Sequence, residues 1–363
     1  MRLACAVRCG LLVACLSLGA TNALASEPVS ASVMAGRIDA ALQAAWEQAN
    51  VSPAPLADDA EFLRRAYLDL TGKIPTVNDV RAFLTDESTD KRAALIEQLL
   101  ARPGHANHMA ATWRNFLLPE NSNLVRFGTA VTFENWLADQ FADNTPYDKI
   151  ARELLTATGQ YNQGPALFYV ALEVKPEELA AATSRSLLGV QIQCAQCHDH
   201  PFDHWTERDF WGYAAFFAQL QQPNNPQQRF VTQVADLTTG ELKLPDSDEV
   251  IPPTLLGGDE LSDRQEVTRR QQLANWVTAP ENPFFARAAV NRIWAHLFGR
   301  GIVDPVDDLG QHNTPSHPEL LNELADYFVA TNFDVRHLIS PLAGTAAYQR
   351  CSRSVSGDAK RPE

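Results

Sequence analysis

Methionine is nearly missing from this sequence: it occurs at Met1, Met34 and Met109 and nowhere beyond. Cysteine is almost as sparse. Cys5, Cys9 and Cys15 crowd the start, which leaves Cys194, Cys197 and Cys351 in the rest of the chain. One close pair and one distant odd residue do not make a disulfide framework. Basic side chains are outnumbered 30 to 44, for a formal net charge of −14. Nucleic-acid binding needs a Lys/Arg footprint, so this balance argues against such a partner. No Gly-rich nucleotide loop, P-loop or Gly-x-Ser-x-Gly elbow occurs, so hydrolytic and nucleotide-dependent chemistry have no motif here.

The first 25 residues read as a targeting segment. Arg2 and Arg8 form a charged region, Leu11 to Leu18 an apolar one, and Ala23-Leu24-Ala25 a cleavage site. The expectation is export to the periplasm or cell surface, with a mature chain from about Ser26. Lipoprotein processing before Cys15 is the alternative. No later run approaches the ~20 apolar residues of a membrane span, so none is expected in the mature chain.

The remainder reads as mainly α. Met34, Ile38, Leu42 and Trp46 recur at helical steps, as do Phe62, Ala66 and Leu70. Further helices are expected over 76–85, 89–101, 131–142, 146–157, 262–277 and 283–298, and from Ser316 in a capping box. Pro- and Asn-rich residues from Gln221, with Gly240 between short alternating runs, predict a linker with a small β hairpin. The expected domains are 26–220, a linker at 221–260, and 261–363. Two stretches also look alike. Lys91-Arg92, Leu95, Trp113, Leu137 to Phe141 and Tyr147 to Ile150 follow the order of Arg269-Arg270, Leu273, Trp294, Leu324 to Phe328 and Phe333 to Arg336. This predicts two related helical units, about 86–160 and 263–345.

The densest chemistry lies at Cys194-Ala195-Gln196-Cys197-His198, continuing through Asp199, His200, Asp203 and His204 to Trp205. Cys-x-x-Cys-His is the attachment signature of c-type haem. Cys194 and Cys197 would be thioether anchors and His198 an axial iron ligand. Asp199 or Asp203 would steady a histidine ring. Small cytochromes commonly use a downstream methionine as sixth ligand, and none exists here. His105, His108, His296 or an open position stand in its place. Two alternatives remain. Cys194, Cys197, His200 and His204 hold the donors of a tetrahedral zinc site, and Cys194 with Cys197 could form a disulfide. The following helix carries Phe210, Trp211, Tyr213, Phe216 and Phe217. Some of these side chains, with Trp205, read as haem walls or as packing core. The His105-x-x-His108 pair reads as a surface feature.

The segment Asp58 to Thr76 resembles the opening of the planctomycete cytochrome-like family, domain of unknown function 1549. Cys194 to Asp203 resembles its hallmark. Asn282 to Gly301, Asp304 to Asp308 and Pro315 to Leu321 resemble the companion domain of unknown function 1553, in shortened form. Taken with the targeting segment and the Cys-x-x-Cys-His motif, the resemblance points to an exported cytochrome-like protein; with no hydrolytic or nucleotide-dependent motif, the chain reads as at most an electron carrier, with an unidentified redox or envelope protein as partner. The alternative is a non-enzymatic surface or scaffold protein whose Cys/His loop is a structural staple.

Overall fold

A computed structural model describes residues 29–119, 130–160, 162, 164–221, 233–261 and 266–352. The targeting segment lies outside them. Fourteen α-helices occur among the described residues, with two small two-stranded sheets, so the protein is mainly α. No described helix is long and apolar enough to cross a membrane.

Helix α1 (Ala31–Gln48) buries Met34, Ile38 and Leu42. Helix α2 (Asp59–Thr71) buries Phe62, Ala66 and Leu70, the predicted stripe. Thr76 opens α3 (Val77–Thr85) through a reciprocal capping box with Asp79, which satisfies two amide donors at once. Four helices follow: α4 (Lys91–Leu100), α5 (Pro103–Leu117), α6 (Ala130–Ala142) and α7 (Tyr147–Leu155). Helices α8 (Ala166–Ala171) and α9 (Pro176–Thr183) lead to the cysteine segment, and α10 (Glu207–Ala214) leaves it. The last four are α11 (Arg269–Val277), α12 (Phe285–Phe298), α13 (Pro318–Ala330) and α14 (Val335–Gly344).

The helices α4–α7 and α11–α14 have the same order and similar lengths, as the repeat predicts. Their packing is reciprocal. The first helix of each unit lies on the last helix of the other, α4 on α14 and α11 on α7. The contacts correspond residue by residue. Arg152 on α7 donates to Asn275 on α11, and Ser340 on α14 donates to Glu97 on α4. Glu97 and Asn275 hold the same step of their helices, as do Arg152 and Ser340. The connections match too. Asn144 and Asn332 are both left-handed. The next amides, Thr145 and Phe333, donate back to the Gln140 and Phe328 carbonyls at 2.9 and 2.8 Å. Each is a helix-ending turn that needs a residue tolerant of positive φ. These turns correct the sequence match by one residue, since Gln140, not Phe141, stands opposite Phe328. Apolar periodicity tolerates that slip and turn geometry does not.

Each unit also carries an arginine as the second residue of its first helix. Arg92 donates to Asp59 at 2.7 Å and to the Ala57 carbonyl at 2.8 Å, and lies 4.7 Å over the Phe62 ring. Arg270 grips both oxygens of Asp236 at 2.7 Å, donates to the Ala157 carbonyl at 2.8 Å, and lies 4.8 Å over Tyr169. Carboxylate, carbonyl and ring satisfy a guanidinium that would otherwise be costly to bury.

The linker holds the expected hairpin, but not around Gly240. The hairpin is β3 (Leu242–Lys243) with β4 (Val250–Ile251), beyond Gly240. Gly240 instead has φ 147°, and a Cβ there would stand 2.3 Å from the Ala218 carbonyl oxygen, so it serves close approach rather than a turn. Strand β2 (Gln233–Val234) pairs outside the linker, with β1 (Gly159–Gln160). Ser316 does not cap α13 either, because its hydroxyl donates to the Ile302 carbonyl at 3.0 Å.

The Arg270 side chain is 1% exposed and that of Asp236 18%. Arg270→Ala is expected to cost about 3–5 kcal/mol in urea unfolding, because it strands a largely buried carboxylate. Arg92→Ala should cost less, since the Asp59 side chain is 32% exposed. An equal or larger loss at Arg92 would contradict this assignment.

Candidate functional site

The cysteine segment is a surface loop anchored at both ends. Helix α9 runs into a π-helical turn at Ser184–Leu188, and a short 3-10 turn follows at Gln193–Gln196. Ala195 is fully buried and pins this turn to the core. The Trp211 indole donates to the Gln196 carbonyl at 3.1 Å. At the far end Thr206 and Asp209 form a capping box that opens α10, and the Asp199 carboxylate accepts the Glu207 amide at 3.1 Å. Between these anchors Cys194, Cys197 and His198 are exposed. Both cysteines are free thiols.

His198 is held in one orientation. Its Nδ1–H donates to the Asp199 carbonyl at 2.8 Å, so Nε2 keeps its lone pair. A histidine fixed this way through its other nitrogen is prepared to bind a metal. The partner is the Asp199 backbone rather than its carboxylate. His200 is in the opposite state. Its Nδ1 accepts the Phe202 and Asp203 amides at 3.3 and 3.0 Å, which puts the ring proton on Nε2 when the ring is neutral. Neither nitrogen then has a lone pair to spare. His204 donates from Nδ1 to Asp203 at 2.7 Å. Cys194, Cys197, His200 and His204 are not gathered around one point. Among the described residues, no three His, Cys, Asp or Glu side chains converge at metal-binding distance.

Asp203 joins the loop to the second unit. Its side chain is 3% exposed. One oxygen takes the backbone and ring N–H of His204; the other takes the Gln311 amide at 3.3 Å and faces His312 at 3.7 Å. His312 is held in turn by Asp308 at 3.0 Å. Burial pushes the Asp203 carboxyl up, but its hydrogen bonds from His204 and Gln311 outweigh this and hold it below the usual range. The Leu309 amide adds a bond to the Gly189 carbonyl at 2.7 Å. No motif marks Gln311 or His312 as part of this site. The only sequence signal is a His-containing loop after the Asp304 to Asp308 segment.

The aromatic run is core. Phe210, Tyr213 and Phe217 are fully buried and Trp205 is 4% exposed. Tyr213 packs edge-on to Phe216 and Phe217. Such burial is what the packing-core reading of Trp205, Phe210 and Phe217 expects. The donor set itself fits a c-type haem: two exposed thiols at the attachment spacing and an oriented histidine with a free Nε2.

The other histidines lie elsewhere. His105 is 1% exposed, which corrects its surface assignment. Its ring bonds to the Leu70 carbonyl at 2.9 Å. His108 packs 5.2 Å from His296, and His296 meets the Asp69 carbonyl at 2.8 Å. Period alone could not find this cluster, because tertiary packing of α2, α5 and α12 creates it.

Two outcomes follow from this geometry. Burial pushes the His105 ring down to about 4, below its unfolded value near 6.5. Its stabilising contribution is complete above pH 6.5 and is lost as pH falls toward 4, at about 1.4 kcal/mol per unit. His105→Asn should flatten that stretch of the unfolding curve, and an unchanged slope would count against the assignment. At Gly310 a Cβ would stand 2.4 Å from the Asp203 carboxylate and 2.7 Å from the His312 ring. Gly310→Ala is expected to part the two loops and to speed hydrogen exchange at the His204 and Gln311 amides by at least about tenfold, as overpacking of roughly 1–3 kcal/mol implies.

Residues 37–222 match the family model of a protein of unknown function, DUF1549 (PSCyt2). Residues 269–363 match that of a second protein of unknown function, DUF1553 (PSD1). No curated protein and no solved structure matches the chain. The first match takes in the whole cysteine loop and just over half of the sequence, and the chain belongs to the DUF1549 (PSCyt2) family.

Proposed function

We propose that this is an exported cytochrome-like protein that carries covalent haem c and passes electrons to an envelope partner. The observation that carries the proposal is the state of the donors. Cys194 and Cys197 are exposed free thiols, and His198 beside them has Nδ1 occupied and Nε2 open. Each thiol would add across a vinyl group, its sulfur bonding to one carbon and its proton going to the other. His198 Nε2 would hold the iron, with the ring oriented by the Asp199 carbonyl. When bound, the haem supplies one-electron chemistry. Export is part of this reading: the charged and apolar segment ending at Ala25 would direct the chain out of the cytoplasm, and c-type attachment takes place outside it.

A second reading has its own observation. The aromatic helix after the loop is packed into the core, and Asp203 ties the loop to the second unit. That favours a non-enzymatic surface or scaffold protein whose Cys/His loop is a staple, closed by zinc or by a disulfide.

Expression of the full chain beside a c-type maturation system separates the two. The pyridine haemochrome spectrum should report about one covalent haem per chain, lost in Cys194→Ser with Cys197→Ser. Absence of haem, with zinc bound or with two thiols released only on reduction, would favour the staple.

A further inference from the structure

Phe202 stands in water on a loop that is otherwise pinned. It is 75% exposed, more than any other large apolar residue among the described residues. A ring of this size is ordinarily turned inward, because apolar area left in water costs free energy. Here the backbone that carries it is tied down. The His200 amide donates to the Trp205 carbonyl at 2.8 Å and closes the stretch between them. Inside that stretch the His200 Nδ1 accepts the Phe202 and Asp203 amides at 3.3 and 3.0 Å.

The ring itself is braced from both helical units. Its centroid lies 6.5 Å from that of His200 and 6.4 Å from that of His312. The two imidazoles are 6.2 Å apart and 29° from parallel. His312 is held in its turn by Asp308 at 3.0 Å. With its Nδ1 accepting two amides, His200 has no lone pair to offer an iron, so it serves here as a wall and not as a ligand. Three rings thus form one preorganised aromatic group, and Phe202 is its most exposed member.

This group shares the loop of the haem donors. Four residue steps separate Phe202 from His198, at most about 14 Å at full extension, and the closed turn at His200 shortens the path. Cys194, Cys197, His198 and Phe202 are all exposed on that loop. Its other aromatic side chain, Trp205, is 4% exposed. The helix that follows spends Phe210, Tyr213 and Phe217 on the core. A haem is a flat, largely apolar plate, and an aromatic ring covers such a plate by offset or edge-on contact. Phe202 is the large apolar side chain that this loop leaves free to do so.

We propose that Phe202, braced by His200 and His312, covers a haem attached at Cys194 and Cys197 and keeps water from it. The inference rests on the haem reading and adds a shielding residue to it. For the test, the full chain carries para-fluorophenylalanine at position 202 and is made with and without a c-type maturation system. Fluorine NMR in light and heavy water reads the exposure of that ring, with the haem-loaded chain kept ferrous under carbon monoxide so that the iron is diamagnetic. The haem-free chain should show the full solvent-isotope shift of an exposed ring. The haem-loaded chain should lose most of it and gain a ring-current shift. The reduction potential of the haem-loaded chain is the second readout. Phe202→Ala should lower it, because water favours the ferric form with its extra positive charge, and Phe202→Leu should restore most of the loss. An isotope shift or a potential that does not move, in a chain whose pyridine haemochrome spectrum shows attached haem, overturns the cover and leaves the haem reading standing. A ring already screened in the haem-free chain overturns it too, since something other than haem then occupies that face. A chain that takes up no haem defeats the haem reading itself, and the cover with it.

Discussion

Neither helical unit of this protein is complete without the other. The first helix of each is covered by the last helix of its counterpart, and equivalent side chains make both contacts, Arg152 to Asn275 and Ser340 to Glu97. Apolar faces exposed by one unit are thereby buried by its counterpart, as in the self-complementary interface of a two-fold dimer. Here a single chain supplies both halves. The last described residues are tied back as well, since the Cys351 amide donates to the Pro55 carbonyl at 2.8 Å. One consequence is positional. A loop leaving the first unit next to α12 is within reach of loops from the second, and the cysteine segment is such a loop.

That placement explains how an exposed motif can be rigid. Exposed loops are ordinarily mobile and poor at holding catalytic or redox groups in place. This one is pinned by buried Ala195, by the Trp211 indole, by the Thr206–Asp209 box, and by Asp203 bonded to the second unit. The reactive groups are left facing solvent, while the residues around them are fixed. Free thiols and a histidine with one committed nitrogen are what covalent attachment of a haem requires. The fixed backbone would keep His198 in place beside such a group.

Much of this was legible in the chain itself. The helices announced themselves through Met34, Ile38 and Leu42 and through Phe62, Ala66 and Leu70, because local periodicity decides them. The location of the site followed from spacing alone. Other features depend on contacts distant in sequence. The repeat register needed the turns at Asn144 and Asn332. The core role of Phe210 and Phe217 needed the packing around α10. His105 became a buried group only when α2 closed over it, and the link from Asp203 to Gln311 joins residues more than a hundred positions apart.

The central claim is that the cysteine loop is built to receive a covalent haem, and the mass of that loop tests it most directly. The full chain, made beside a c-type maturation system, is digested and its peptides weighed. The account predicts that the peptide bearing Cys194 and Cys197 carries the added mass of one haem and that the peptide bearing Cys351 carries none. A cysteine-loop peptide of unmodified mass, or one lighter by the two hydrogens of a disulfide, would contradict it.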